Sequence, residues 1–114
     1  MGRSVYQFKV RDLNEAKDIA EKILQDNKFV QKTLRSGEIV WRKGSALIAS
    51  QQFVSIYYLK EEHLVRIYAW LQSGFGVPGM GEKEVERLGA IIPRRQLAKV
   101  IVQIEGEYEK IRLQ

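Results

Sequence analysis

The sequence predicts an α+β domain in which an antiparallel sheet of about five strands packs on two helices. Three observations carry that prediction. Residues 29–72 are rich in β-branched and aromatic side chains, broken only by short turn signals. Leu97, Val100, Ile101, Ile104, Tyr108 and Ile111 recur at spacings of three and four, the period of a helix with one apolar stripe. Near the N-terminus, a second amphipathic stretch runs between a capping aspartate and an asparagine.

The elements follow in chain order. Ser4 to Val10 alternates Tyr6, Phe8 and Val10 against Val5, Gln7 and Lys9, a strand pattern. Asp12 is placed to cap a helix, and Glu15 stands three residues on, as in a capping box. Leu13, Ala16, Ala20, Ile23 and Leu24 form the buried stripe, and Asn27 ends the helix by its tolerance of left-handed backbone. Phe29 to Arg35 and Glu38 to Lys43 are strands joined at Ser36-Gly37. Ala46 to Lys60 reads as a long strand bent or bulged near Ser50-Gln51-Gln52. After a turn at Glu61-Glu62-His63, Leu64 to Gln72 is the last strand, with Val65, Ile67, Ala69 and Leu71 inward. Ser73 to Gly81 is a glycine-rich loop, Glu82 to Leu88 is read as helical turns, and Pro93 stands in the first turn of the C-terminal helix.

The order strand, helix, four strands, loop, helix looks like the helix-grip or TATA-binding-protein-like arrangement. The alternative is a pleckstrin-homology-like barrel closed by its C-terminal helix, which needs more strands than the pattern supplies. The 114 residues suit one domain, 1–114. With no cysteine, disulfides, thiolate nucleophiles and cysteine-based zinc sites are excluded. No apolar run is long enough to span a membrane, and a cytoplasmic location is the expectation. A net charge of +5 permits attraction to anionic partners without requiring it.

Few residues point to chemistry. Gly74-Phe75-Gly76-Val77-Pro78-Gly79 has the spacing of a dinucleotide loop, but Pro78 removes an amide donor and no ribose-binding acid follows about twenty residues on. That loop is read instead as a contact surface carrying Phe75, Val77 and Met80. The strand alternation that turns Val65 and Ile67 inward turns Tyr57, Arg66, Tyr68 and Trp70 onto the other sheet face. Rings and cations there fit a protein interface or stacked bases, or else close into a second small core. Arg94, Arg95 and Lys99 at the start of the last helix form a weak anion site. His63, the only histidine, is a turn residue with no metal-ligand set around it.

Ala69-Trp70, Gly81-Glu82 and Leu88-Gly89-Ala90-Ile91-Ile92-Pro93-Arg94-Arg95-Gln96-Leu97 resemble an uncharacterised family of small soluble domains from Gram-positive bacteria. Members often carry a zinc ribbon or membrane segment, and this chain lacks the cysteines of the ribbon. The resemblance covers about residues 69–97 and implies a bacterial interaction or ligand-binding module rather than an enzyme.

The function expected is a non-enzymatic binding module, through protein interaction or self-association on the open sheet face or the 73–81 loop. The alternatives are a nucleic-acid-binding domain and a carrier of an apolar small molecule between sheet and C-terminal helix. No nucleophile–base pair is visible, so an enzyme ranks last, and no cofactor is expected.

Overall fold

The computed structural model describes residues 2–44, 51–72, 82–84 and 91–113. In chain order these form β1 (Ser4–Lys9), α1 (Leu13–Asp26), β2 (Val30–Thr33), β3 (Ile39–Lys43), β4 (Gln51–Leu59), a 3-10 turn (Lys60–Glu62), β5 (Leu64–Gln72), β6 (Glu82–Glu84) and α2 (Ile91–Glu109). The sheet is antiparallel, in the order β1-β5-β4-β3-β2. The first strand therefore lies beside the last strand of the meander, and the path of strands is open. Both helices pack on one face, so the α+β architecture expected from the pattern is present.

Asp12 caps α1 as the sequence suggests. Its Oδ1 accepts from the Asn14 amide at 2.9 Å and the Glu15 amide at 3.4 Å. Glu15 turns to Arg11 at 3.7 Å rather than completing a reciprocal box. At the other end, Asn27 is not the left-handed residue. It holds φ −96°, and Lys28 takes the positive φ of 71°. The Asn27 side chain has another use: Nδ2 donates to the Ile23 carbonyl at 2.7 Å and to Gln103 Oε1 at 3.0 Å. The Ile23 carbonyl also accepts the Asn27 backbone amide at 3.0 Å, so the side-chain amide adds a second bond to the last turn of α1 and ties it to α2.

Gly37, at φ 92°, makes the turn between β2 and β3. Leu34 N donates to the Glu38 carbonyl at 2.8 Å and Gly37 N to the Leu34 carbonyl at 2.9 Å. The expected bulge at Gln51-Gln52 is absent. β4 pairs with β5 from Gln51↔Gln72 to Leu59↔Leu64 without a skipped residue; Ser50 lies outside the described residues.

Where helical turns are expected, Glu82–Glu84 forms a strand. The edge of β5 explains it. β1 pairs with β5 from Leu64 only as far as Ala69, and β6 takes up Trp70, Leu71 and Gln72 beyond it. Backbone donors and acceptors that β1 does not reach are thus met by a second short strand. Residues 85–88 lie outside the described residues.

The main core lies between sheet and helices. Val54, Val65, Ile67, Ala69 and Leu71 meet Ala16, Ala20 and Leu24 of α1 and Leu97, Val100, Ile101, Ile104 and Tyr108 of α2. The Tyr108 hydroxyl donates to the Ala16 carbonyl at 2.8 Å, tying α2 to α1 inside the core. Burial pushes its pKa up, as it does for Tyr58 at the core's edge, so both stay neutral phenols.

Candidate functional site

The candidate site is the sheet face turned away from the helices. Period-two alternation and the strand register assign it. Tyr57 stands opposite Arg66, Ser55 opposite Tyr68, and Phe53 opposite Trp70. Phe53 also faces Arg42 on β3, and Lys32 faces Val40 across β2 and β3. The sequence-predicted residues Tyr57, Arg66, Tyr68 and Trp70 are all on this one face.

They are not equally available. Trp70 is 1% exposed. It stacks on Phe53 at 5.3 Å between centroids and 7° between planes, and closes a second small core with Val40, Leu34 and Tyr68. The second-core alternative thus describes Trp70, and an open docking role does not. Arg66 and Tyr68 are half-buried, and Tyr57 is 42% exposed with its ring edge-on to Tyr68 at 5.7 Å.

Sequence reasoning missed the centre of the cluster, Glu38. Turn geometry aims it: its amide donates to Ser36 Oγ at 3.3 Å, and it lies two residues before Val40 on the same face. Arg3 forks onto its carboxylate, Nη1 to Oε2 at 3.0 Å and Nη2 to Oε1 at 3.1 Å. Ser55 donates to Oε2 at 2.9 Å and the Tyr57 hydroxyl at 2.8 Å. Three of these four bonds fall on Oε2 and one on Oε1, so three side chains, one from ahead of β1 and two from β4, hold the carboxylate in place.

The electrostatics agree with that geometry. The Arg3 hydrogen bonds hold the Glu38 carboxyl below its ordinary value, against a raising effect of partial burial, and Tyr57 and Ser55 add to the lowering. For Tyr57, a lowering contribution from Ser55 is outweighed by the bond to Glu38, burial and the Glu38 charge, so the phenol is raised. Arg3 and Glu38 form a neutral pair whose side chains keep 24% and 17% of their exposure. The parity of Glu38 with Val40 is readable in the sequence. That β1 lies beside β5, which brings Arg3 over this face, is not.

The strand register sets four further cations on the face, Lys9, Lys32, Arg42 and Arg66, and β6 sets Glu84 opposite Trp70 and Glu82 opposite Gln72. Arg42 has its Nε buried with no acceptor. Lys9 lies at the β1 edge, where it borders a groove with Glu105 and Glu109.

The remaining predicted sites fall elsewhere. Phe75, Val77 and Met80 lie outside the described residues. In α2, Arg94 is half-buried while Arg95 and Lys99 are exposed. His63 is exposed at φ 51° and accepts the Val10 amide on its carbonyl at 3.0 Å. Among the described residues, no three His, Cys, Asp or Glu side chains are grouped to hold a metal. No helix in the described residues is long and apolar enough to cross a membrane.

Fold and site together define an α+β domain with helices on one sheet face and a polar–aromatic cluster on the other. No family model, curated protein or solved structure matches the chain.

Proposed function

We propose that the protein is a non-enzymatic binding module whose protein partner docks on the sheet face turned away from the helices. One observation carries this reading. On that face a rigid, hydrogen-bonded cluster centred on Glu38 holds an exposed Tyr57 ring beside Arg66, and no described helix or strand lies over it. Tyrosine and arginine are enriched at interfaces, and a side chain fixed before binding loses little entropy on binding.

A carrier of an apolar molecule has less support. The space between sheet and α2 is filled by buried side chains from both layers. Two grooves among the described residues open at the surface instead: about 560 Å³ between α1 and α2, and about 500 Å³ between β1 and the end of α2.

Differential affinity capture tests the proposal. Wild-type protein is compared with a Tyr57→Ala/Arg66→Ala variant and with a Val102→Ala variant, Val102 being exposed on α2. A partner held by wild type and Val102→Ala but lost by the double variant is the expected result. A partner lost only by Val102→Ala would move the docking surface to the helices.

A further inference from the structure

We infer that the outward face of α2 is an interface between two copies of the chain, packed antiparallel about a two-fold axis. Arg95, Val102 and Glu109 are exposed along one stripe of the helix, with Lys99, Glu105 and Gly106 exposed to either side. This stripe lies opposite the buried Leu97, Ile101, Ile104 and Tyr108. Val102, at its centre, is 61% exposed.

The stripe is its own complement about Val102. Arg95 stands seven residues before Val102 and Glu109 seven after it. Lys99 stands three before and Glu105 three after, and Ala98 and Gly106 stand four to either side. A two-fold axis at Val102 therefore sets Arg95 against the partner's Glu109 and Lys99 against the partner's Glu105, twice over. Val102 meets its own copy. Ala98 meets the partner's Gly106, where a Cβ would find nothing within 4 Å, so the two helix axes can approach closely. An isologous interface requires such self-complementarity, and a foreign partner does not.

Within one chain the same charge order is unfavourable. α2 has no acidic residue in its first turn and no basic one in its last, the reverse of what the helix dipole favours. Arg95, Lys99 and Glu105 enter no ion pair among the described residues, and Glu109 has the exposed Arg112 at 3.5 Å. An antiparallel copy turns that order round, because its acidic end lies along this basic end and the two dipoles oppose. Exposed ion pairs alone give little affinity. Val102 also borders the groove between α1 and α2 with half-buried Ile19 and Ile23, which add apolar area beside the axis. The net charge of +5 on each copy opposes association at long range, but salt screens it beyond about 8 Å while the four pairs are in contact. This surface lies across the helices from the Glu38 cluster, so it stands or falls independently of docking on the sheet face.

Sedimentation equilibrium of the full chain at about 0.15 M salt is the test. Wild type should dimerise reversibly as concentration rises. Lys99→Glu and Glu105→Lys should each weaken the dimer about tenfold, because each brings like charges together twice. Mixed in equal amounts, the two variants should recover wild-type association, since each finds its opposite on the other chain. The double variant should recover it alone. Both substitutions are at exposed positions and suit the dipole of α2, so the variants should keep wild-type circular dichroism and thermal melting. Val102→Lys should abolish the dimer by setting two ammonium groups at the axis. A chain that stays monomeric up to about 1 mM overturns the inference. So does a dimer that neither charge variant weakens, or one that the mixture fails to restore.

Discussion

Arg3 lies with its guanidinium carbon 3.6 Å from the centre of the Trp70 ring. The same guanidinium forks onto Glu38, so one side chain crosses the sheet face from the β1 side to the β3 side and roofs the aromatic stack. An arginine over an indole face is favoured electrostatically, and its planar fork matches a carboxylate. The N-terminal strand is thereby anchored on the face opposite the main core as well as through its ladder with β5.

Glu38→Gln should lower stability by about 1.5–3 kcal/mol at neutral pH, the worth of hydrogen bonds to a charged group. The wild-type carboxyl is held below the ordinary glutamate value of 4.5, so the folded state binds fewer protons than the unfolded chain. Its contribution is present above that value and is lost as pH falls through the lower folded-state value. The variant should show a flatter acid limb. Urea unfolding at several pH values measures both effects, and an unchanged acid limb would count against this carboxylate as its source.

Trp70→Ala should destabilise by about 3–5 kcal/mol, because it empties the centre of a small core. Val40 and Phe53 would lose their main contact and Arg3 its platform. Thermal melting checks this. A variant that melts like wild type would mean that the stack contributes little to the fold.

Tyr108→Phe should cost about 1 kcal/mol. It removes the donor to the Ala16 carbonyl and keeps the edge-on contact of the ring with Phe8 at 5.4 Å. A loss approaching that of a large-to-small substitution would show that the hydroxyl organises the α1–α2 contact beyond a single bond.

Two glycines should respond with opposite sign. Gly106 is in α2 with open space where a Cβ would stand, so Gly106→Ala should stabilise by about 1 kcal/mol through helix propensity. Gly37 also has open space, but its φ of 92° is one that L side chains rarely adopt. Gly37→Ala should cost about 1–2 kcal/mol for that conformation alone. Paired denaturation curves give both signs at once.

Much of the fold was legible because it depends on local periodicity. The alternation in Leu64–Gln72 identified β5 and its inward residues Val65, Ile67, Ala69 and Leu71. The spacing from Leu97 to Ile111 identified the buried stripe of α2, and Asp12 marked the start of α1. Misreadings came where a distant strand overrode local preference. Glu82–Glu84 has helix-forming composition, yet an unpaired stretch of β5 recruits it as a strand. Asn27 suits a left-handed exit, yet its amide is held by Ile23 and Gln103 while Lys28 takes the strained backbone.

By itself, the amino-acid order determined the apolar side of β5, α1 and α2. That follows from repeats of 2 and 3.6 residues, which need no knowledge of neighbours. It placed Tyr57, Arg66, Tyr68 and Trp70 on one face for the same reason. Only the tertiary structure decided which of them meets solvent. Burial of Trp70 depends on Phe53 from β4, Val40 from β3 and Arg3 from ahead of β1, residues brought together by strand order. The pairing of Arg3 with Glu38, 35 positions apart, is likewise a product of β1 closing beside β5. Long-range pairing obeys loop closure and packing across the sheet, and no short window of sequence contains that information.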